Sequence, residues 1–434
     1  MNNINFPKVL VLAHSAFSST NSNGRTLGNF FVNWPKDKLA QFALLADGLD
    51  TQRCNNYFIV TDRQALASFK TGKPAVNAYS APLYTPHPAN SSNNKKIIRS
   101  PFTMLLRNLV WKSNRWQGKN FHQWLNDFAP ELILLQAGDA PFMYDLAVSL
   151  AKKRRVPLVL YNSECYYFKD FCYFTNTHSS WLYPLFRRVF KHSFERAMQT
   201  TRGVIYITHA LETLHKTVFP HTALTLMTAS SLPEGTVSKP DRPHPQIVYL
   251  GNLGLNRYKN LIKIAQEIQK INPSWKLEIY GKVPAQATDE LKACNGIDLK
   301  GFVPDSEVVR IQKTADLLLH TEYNDPFFVK DLKYAFSTKI ADCLASGVPF
   351  LVYAPAEFPF VHYLQQNQAA FVATTSQELP AMLKQALSDE SKRKAQVQHA
   401  LQLARQNHHG PTHTARFRQF LQEIYEDTTN KHPL

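Results

Sequence analysis

The 434-residue chain is long enough for two sizeable domains, since domains usually contain about 100 to 200 residues. Hydrophobic residues make up 44% and charged residues 19%, a composition that excludes a disordered or multi-span membrane chain. The 49 Lys and Arg exceed the 33 Asp and Glu, which gives a net charge of +16. This charge predicts attraction to nucleic acid, anionic lipid or phosphorylated substrates and does not choose among them.

Cysteine usage and the N-terminus predict a cytoplasmic location. The five cysteines are scattered and include no C-x-x-C pair of the kind that binds zinc or performs redox chemistry, so we expect a reducing compartment. The first apolar run, residues 9–13, is too short for a signal segment or for a membrane span of about 20 residues.

Short apolar runs, separated by segments able to form helices, predict strands of parallel sheets that are buried on both faces. In the first half they are residues 8–14, 56–62, 131–138, 157–162 and 203–208. In the second half they are residues 246–251, 276–281, 298–303, 315–321, 348–354 and 370–374. Strands that alternate with helices predict a doubly wound α/β architecture.

A segment with four prolines, residues 232–245, predicts a linker between two Rossmann-like domains, at 1–235 and 246–412. We expect the two domains to face each other across a cleft, where ligand sites usually lie. In the last segment, 413–434, Phe417, Phe420, Leu421 and Ile424 are spaced as on an amphipathic helix. This helix could pack back on the N-terminal domain.

The loop after the strand at 246–251 has the features of a phosphate site. Gly251 and Gly254 would let a ligand approach the backbone closely on either side of Asn252. Arg257 offers a planar fork to phosphate oxygens and Lys259 a mobile charge. A solvated basic loop is the alternative interpretation.

A second anion site is predicted where Ser337 and Thr338 precede a helix that begins near Lys339. Unpaired N–H groups and the helix dipole favour an anion there, and Lys339 adds a full charge. Asp342 follows one turn later, where its carboxylate could accept hydrogen bonds from a ribose diol. Stabilisation of the helix dipole is the alternative role for this acid.

The string STKIADCLASGVP, taken with the loop that carries Arg257 and Lys259, resembles the nucleotide-sugar-binding half of GT-B glycosyltransferases. The resemblance is to the retaining, family 4-like group that builds bacterial surface polysaccharides, and the stretch at residues 23–41 is similar to the start of some members. It implies a GT-B fold, with acceptor recognition in 1–235 and nucleotide-sugar binding in 246–412. It also implies that Arg257 and Lys259 hold the donor diphosphate and Asp342 the ribose.

One position departs from the pattern of that group. Many relatives place two acidic residues with seven between them, but Tyr334 lies eight residues before Asp342, and the nearest earlier acid is Asp331. The contact from the first acid to the transferred sugar is therefore in question, and the choice between retaining and inverting chemistry stays open.

Residues of the first half predict the opposite wall of the site. Gly24, Arg25 and Thr26 follow the first strand, and a helix capped by Thr26 would offer its N-terminus to an anion. The resemblance puts Gly24 and Arg25 near the donor phosphates or the acceptor. A plain helix cap is the alternative.

Two acids, Asp139 and Glu164, follow predicted strands. Either could act as general base for an acceptor hydroxyl in an inverting enzyme, or position the acceptor in a retaining one. The alternative is that these acids have only a structural role, in a loop or as a helix cap. His14 is a weaker candidate for the same wall.

Cations alternate with aromatic and aliphatic residues in 95–119 and 166–196. Such surfaces suit an anionic membrane, and core aromatics beside a solvated basic face are the alternative. Taken with the resemblance to GT-B glycosyltransferases, these features imply a peripheral, metal-independent hexosyltransferase that needs no cofactor besides its nucleotide-sugar substrate. Its acceptor would be a glycan or a lipid-linked molecule, in surface-polysaccharide synthesis.

Two rival functions remain open. A sugar-nucleotide epimerase or phosphorylase could use the same fold without a glycan acceptor. A nucleic-acid-binding protein would account for the charge, although no zinc-finger spacing, RNP-like string or basic zipper is present, and we expect no nucleic-acid partner.

Overall fold

The chain divides into two units, one formed by Met1–Leu226 with Pro411–Leu434 and the other by Met227–Gly410. The computed structural model describes residues 6–18, 21–74, 78–80, 98–174, 180–233 and 240–431.

The first unit is built on a sheet in which strand order, from edge to edge, is β4-β3-β2-β1-β5-β6-β7-β8. The strands are β1 (Val9–Ser15), β2 (Leu39–Leu45), β3 (Asn56–Ile59), β4 (Ala78–Ser80), β5 (Leu132–Ala137), β6 (Leu158–Asn162), β7 (Thr201–Tyr206) and β8 (Ala223–Thr225). Its strand pairs are parallel except β3 with β4. The helices are α1 (Ser22–Asn29), α2 (Asp62–Thr71), α3 (Pro101–Lys112), α4 (Lys119–Phe128), α5 (Pro141–Arg154), α6 (Tyr183–Thr200) and α7 (His209–Lys216).

The second unit is built on a parallel sheet with the order β11-β10-β9-β12-β13-β14. The strands are β9 (Ile247–Leu250), β10 (Leu277–Tyr280), β11 (Ile297–Gly301), β12 (Leu317–Thr321), β13 (Phe350–Tyr353) and β14 (Phe371–Ala373). The helices are α8 (Arg257–Ile271), α9 (Thr288–Ala293), α10 (Asp305–Thr314), α11 (Pro326–Leu332), α12 (Thr338–Ala345), α13 (Pro359–Gln366), α14 (Leu379–Ser388) and α15 (Glu390–Asn407). A last helix, α16 (Gly410–Lys431), follows.

Each sheet reverses its strand order at one place, between β1 and β5 in the first unit and between β9 and β12 in the second. At such a switch point the connections leave in opposite directions, so a crevice opens outside the carboxyl ends of the two strands. Ligands of open α/β sheets bind in this crevice, and it is the place in each unit where functional side chains are expected.

The predicted α/β architecture of two Rossmann-like units is confirmed, and each apolar run forms a strand. The sequence pattern did not single out β2, whose residue Gln41 interrupts an apolar run. The Gln41 side chain is fully buried, accepts a hydrogen bond from the Phe17 N–H at 2.7 Å and donates one to the Ser15 carbonyl at 3.2 Å. A buried polar side chain is tolerated in the strand because both ends of its amide are hydrogen-bonded.

The boundary between the units lies at Leu226, ahead of the predicted boundary at residue 235. Residues before the proline-rich segment are already tied to the second unit by hydrogen bonds. The Ser230 N–H donates to the His408 carbonyl at 2.8 Å, and His408 Nδ1 lies 2.7 Å from the Thr228 carbonyl oxygen. Part of the predicted linker, residues 234–239, lies outside the described residues.

The C-terminal helix α16 belongs to the first unit. Its residue Phe417 is fully buried, stacks on Phe30 with ring centroids 5.1 Å apart and meets Phe31 edge-on at 5.0 Å. Further along the helix, Phe420 and Ile424 press so closely on Gly203 of β7 that a Cβ atom there would lie 2.4 Å from Ile424. The apolar stripe read from the sequence is thus the face that packs on this unit.

Candidate functional sites at the two switch points

A buried ion pair stands at the switch point of the second unit. Arg257 is the first residue of α8, after the loop that follows β9, and Glu322 directly follows β12. The guanidinium donates two hydrogen bonds to the carboxylate, Nε to Oε2 at 2.9 Å and Nη2 to Oε1 at 2.8 Å. The two side chains are only 14% and 8% exposed. Burial alone would lower the pKa of Arg257, but the charge and hydrogen bonds of Glu322 raise it.

Lys339 brings a second cation to the same place from the first turn of α12. Its ammonium group passes over Gly251, where an added Cβ atom would lie 2.1 Å from Nζ, and it lies 5.6 Å from the centre of the Tyr249 ring. Gly251 has a φ of 143°, so both its backbone and this contact require glycine. Burial, and next the positive charge of Arg257, lower the pKa of Lys339 to about 8.

A buried histidine completes this cluster. His320, in β12, is 1% exposed, and its Nε2 lies 3.6 Å from Glu322 Oε1. Among the described residues, neither of its ring nitrogens has a hydrogen-bond partner. Burial, followed by the charges of Lys339 and Arg257, holds the pKa of His320 well below its ordinary value, so the ring is neutral at physiological pH. Two cations then stand against one carboxylate, an excess of positive charge that suits an anion.

The predicted anion site at the start of α12 lies in this cluster through Lys339. Ser337 is the N-cap residue, but its side chain makes no capping hydrogen bond, and Thr338 is exposed. The N–H groups of the first turn are therefore not capped by that hydroxyl. A helix start with this local arrangement favours an anionic ligand.

Asp342 has protein partners in this structure. Its carboxylate accepts hydrogen bonds from the Ser230 hydroxyl at 2.9 Å and from the Ser231 N–H at 2.8 Å, and the Ser231 hydroxyl lies within 3.3 Å of both oxygens. Burial raises the pKa of Asp342, while these hydrogen bonds oppose the rise. The carboxylate thus anchors the segment at 230–231, and its contact with a ribose stays a prediction.

The other predicted donor-loop residues surround Arg257. The ammonium of Lys259 lies 5.5 Å from the ring centre of Tyr323. Asn252 is exposed, and its Oδ1 accepts a hydrogen bond from the Gly254 N–H at 2.8 Å, which shapes the loop. The structure therefore brings the basic residues of this loop to the edge of the sheet where the pattern predicted them.

Glu322 is the charged residue of this site that the motif comparison did not single out. Many relatives have an acid eight residues ahead of Asp342, where this chain has Tyr334, and the nearest earlier acid, Asp331, lies in α11. An available signal was its position, because an acid directly after a buried apolar strand lies at the carboxyl edge of the sheet. The same signal had selected Asp139 and Glu164.

A cavity of about 580 Å³ lies at the switch point of the first unit, and His14, Asp139 and Glu164 all line it. Asp139 follows β5 and is buried, with its carboxylate bound by the guanidinium of Arg99 and by the Tyr173 hydroxyl at 3.2 Å. Glu164 follows β6 and is exposed. The two predicted acids and His14 therefore share one cavity.

His14 ends close to Gly138 in this cavity, and burial is the largest effect on its titration. Burial, and next the charge of Arg107, lower the pKa of His14 to about 4, while Asp139 acts in the opposite direction. The imidazole is therefore neutral at physiological pH and able to accept a proton or a hydrogen bond.

The predicted cap at Thr26 is wrong. The N-cap of α1 is Asn21, whose Oδ1 accepts hydrogen bonds from the N–H groups of Asn23 at 3.0 Å and Gly24 at 3.2 Å. Thr26 lies inside the helix, because the chain becomes helical at residue 22. Gly24 packs on the segment that directly follows β1, where a Cβ atom would lie 2.2 Å from the Ala16 carbonyl oxygen, and Arg25 is exposed.

The two basic and aromatic stretches divide between core and surface. Trp111 and Trp116 are buried, as are Phe186 and Phe190 of α6, which agrees with the core alternative. Large apolar side chains are nevertheless exposed, namely Ile98, Phe102, Leu106, Leu109, Trp181 and Leu185. Residues 95–97 and 175–179 of these stretches lie outside the described residues.

The described ranges contain neither a metal-binding cluster nor a membrane-spanning helix. No group of three or more His, Cys, Asp or Glu side chains in them could hold a metal ion. No helix in the same ranges is both long and apolar enough to span a bilayer.

Comparison with known proteins gives a family match within the second unit and structural matches over nearly the whole chain. Residues 236–402 match the family described as Glycosyl transferases group 1. The structure is similar to that of HepE from Anabaena in complex with UDP, with a TM-score of 0.60 and 14% identity over 96% of this chain and 100% of that one.

Two further solved structures share this fold. WaaG, a glycosyltransferase involved in lipopolysaccharide biosynthesis, has a TM-score of 0.55 and 14% identity over 92% of this chain and 95% of its own. Sucrose-phosphate synthase from Thermosynechococcus elongatus has a TM-score of 0.60 and 9% identity over 97% of this chain and 100% of its own. No curated protein matches this chain. The predicted GT-B fold is confirmed.

Removing one partner of the buried pair tests its role in the fold. We expect Glu322→Ala to lower the free energy of unfolding by about 3–5 kcal/mol, because it leaves the Arg257 guanidinium buried without a counter-charge. The double variant Arg257→Ala with Glu322→Ala should recover part of that loss. Denaturant unfolding followed by tryptophan fluorescence measures both, and a Glu322→Ala protein as stable as the parent would contradict the assignment.

Proposed function

We propose that this chain, which has the GT-B fold and matches Glycosyl transferases group 1 over residues 236–402, is a glycosyltransferase that moves a hexose from a nucleotide diphosphate sugar to a hydroxyl of a glycan or lipid-linked acceptor in cell-surface polysaccharide synthesis. The donor binds at the switch point of the second unit and the acceptor in the cavity of the first. The reaction takes place on the cytoplasmic side of the membrane.

The observation that carries this proposal is the excess of buried positive charge around Gly251. Arg257 and Lys339 are both desolvated, and the carboxylate of Glu322 pairs with Arg257. A diphosphate supplies the missing negative charge, with Lys259 and the N–H groups at Ser337 to Lys339 as further partners. Asp342 and the Ser230 to Ser231 segment that it anchors form the ribose side of the site.

These groups act on the leaving group of the reaction. As the bond between the sugar and the diphosphate breaks, negative charge grows on the departing phosphate oxygen. Cations and N–H dipoles that are already in position stabilise this charge without reorganisation. We propose that they serve in place of a divalent metal and that the enzyme uses no cofactor besides its donor.

The pH dependence of nucleotide binding tests the donor site. HepE has been solved with UDP, so UDP is the first probe. Because the pKa of Lys339 is about 8 in the free protein, UDP binding should weaken as the pH rises from about 7 to about 9, by up to about tenfold per unit above the pKa. Isothermal titration calorimetry measures the dissociation constant at each pH.

Two variants control this experiment. Lys339→Arg keeps its charge over the whole range, so its binding should not depend on pH between about 7 and about 9. Lys263→Ala changes an exposed cation of α8 and should bind as the parent does. If the dissociation constant of the parent for UDP does not change over this pH range, Lys339 is not part of the donor site.

The acids of the first unit supply the acceptor chemistry in this proposal. Arg99 and Tyr173 donate hydrogen bonds to the Asp139 carboxylate. We assign Asp139 the role of orienting these two side chains toward the acceptor. Glu164 stands exposed on the same cavity wall and takes the proton of the acceptor hydroxyl as that oxygen attacks the anomeric carbon. This assignment makes the reaction an inverting one.

Glu164→Gln tests the base. General-base catalysis contributes about 10²- to 10⁴-fold, so kcat should fall by that factor while the dissociation constant for UDP stays unchanged. Product analysis by NMR reports the anomeric configuration in the same assay. Full activity in Glu164→Gln, or a product with retained anomeric configuration, would contradict the role of Glu164 as general base. If the product is an epimerised nucleotide sugar, the protein is an epimerase and does not transfer the sugar.

A peripheral position on an anionic membrane is part of the proposal. The segment 95–119 contains seven Lys and Arg and no Asp or Glu, and α3 exposes Phe102 and Leu109 from its surface. Trp181, close to the start of α6, is 85% exposed. Cations beside exposed apolar side chains suit the interface of an anionic bilayer, where each Lys or Arg adds about 1 kcal/mol.

Vesicle sedimentation tests this surface. The protein should sediment with phosphatidylglycerol-containing vesicles and stay in solution with phosphatidylcholine alone, and Phe102→Ser with Trp181→Ser should weaken the binding several-fold. A matched variant, Val218→Ser, removes an exposed apolar side chain elsewhere in the first unit and should have no effect. Equal binding to both vesicles, or equal loss in both variants, would exclude this surface as the membrane contact.

A further inference from the structure

His320 is a buried polar group of the second unit that the proposed mechanism does not use. Its side chain is 1% exposed, and in the part of the chain that the structure describes neither ring nitrogen meets a hydrogen-bond partner. Phe360 of α13 packs edge-on against the ring, with centroids 5.6 Å apart, and this contact is apolar. Buried polar groups are nearly always hydrogen-bonded, because an unpaired one is costly. An unpaired ring next to the donor site therefore needs an explanation.

The ring of His320 lies beside the ion pair of Arg257 and Glu322. Its Nε2 is 3.6 Å from Oε1 of Glu322, which is slightly too far for a hydrogen bond. The same oxygen accepts the bond from Nη2 of Arg257 at 2.8 Å, while Oε2 accepts the bond from Nε at 2.9 Å. One carboxylate oxygen thus has Arg257 as its donor and a second nitrogen, that of His320, just out of reach.

The guanidinium of Arg257 can offer its N–H groups to a planar anion along two edges, and Nη2 belongs to both of them. In this structure the edge formed by Nε and Nη2 faces Glu322. The other edge, formed by Nη1 and Nη2, is the one that can take two phosphate oxygens. A bidentate contact with a phosphate draws Nη2 away from Oε1, and a buried carboxylate oxygen that loses its donor is costly.

We propose that His320 is a positioning residue of the donor site, which donates a hydrogen bond from Nε2 to Glu322 Oε1 when Nη2 of Arg257 turns to the diphosphate. This inference rests on the proposed function, since it requires a diphosphate at Arg257. Arg257 keeps its Nε bond to Oε2, so the guanidinium stays anchored while it binds the phosphate. No proton is transferred, because the neutral ring carries its proton on Nε2 and the carboxylate stays ionised.

His320→Leu tests this role, because it removes the donor and keeps a side chain of similar volume. The free protein loses no hydrogen bond, so the midpoint of urea unfolding should stay the same or rise. The dissociation constant for UDP at pH 7, measured by calorimetry, should rise about 10- to 100-fold, as expected for the loss of a hydrogen bond to a charged group. His320→Gln, whose amide nitrogen can donate to the same oxygen, should restore most of the affinity.

A second buried histidine provides the matched control. His215 of α7, in the first unit, is fully buried, and its Nε2 lies 3.0 Å from Nδ2 of Asn162. His215→Leu should lower the midpoint of urea unfolding, because it breaks this hydrogen bond, and should bind UDP as the parent does. If His320→Leu also lowers the midpoint and leaves UDP binding unchanged, His320 is only structural and the inference is overturned.

NMR of the ring nitrogens reports the change of partner directly. In protein labelled with ¹⁵N in its histidines, the His320 signals are those that are missing from His320→Leu. Saturating UDP should shift the Nε2 signal toward that of a hydrogen-bonded N–H group. Signals of His320 that UDP leaves unchanged would overturn the inference.

The same titrations separate this inference from the proposed function. If the parent binds none of UDP, GDP, ADP and dTDP, there is no donor site, and the proposed function and the inference both fail. If another of these nucleotides binds more tightly than UDP, it replaces UDP in every titration. If the parent binds its nucleotide and His320→Leu binds it equally well, the proposed function stands and the inference alone fails.

Discussion

The pair of Arg257 and Glu322 allows the second unit to keep two cations in a largely dehydrated place. An unpaired guanidinium would be costly to bury, and the bidentate contact with Glu322 offsets that cost. Burial, and next the charge of Arg257, lower the pKa of Lys339 to about 8, and the charge of Glu322 only partly opposes this. The site therefore carries an excess of positive charge, which the proposed donor diphosphate neutralises.

Topology explains why functional groups gather at two places. In both sheets the strand order reverses once, and side chains from strands that are distant in sequence meet beside the reversal. His14 and Asp139 come from the ends of β1 and β5, and Arg257 and Glu322 follow β9 and β12. The same backbone arrangement therefore supports two chemistries, since one crevice holds the cations Arg257 and Lys339 and the other is lined by the acids Asp139 and Glu164.

Much of this could be predicted from the sequence, because buried parallel strands are continuous apolar runs and their order along the chain locates the crevice edges. Glycine and basic residues after such a run indicated the place of Arg257, and the Ser-Thr pair before a helix indicated the place of Lys339. What the sequence could not supply depends on long-range contacts: Glu322 is separated from Arg257 by 65 positions, and Asp342 from Ser231 by 111. Asn21 was missed as the cap because several Ser and Asn residues near it could serve equally well.

The central claim is that Arg257 and Lys339 hold the diphosphate of the donor, and a crystal structure of the protein with UDP tests it most directly. The account predicts the β-phosphate within hydrogen-bond distance of Arg257 and Lys339, with the uracil-bearing ribose on the side of Asp342. A well-defined UDP molecule with its phosphates away from both cations would contradict it.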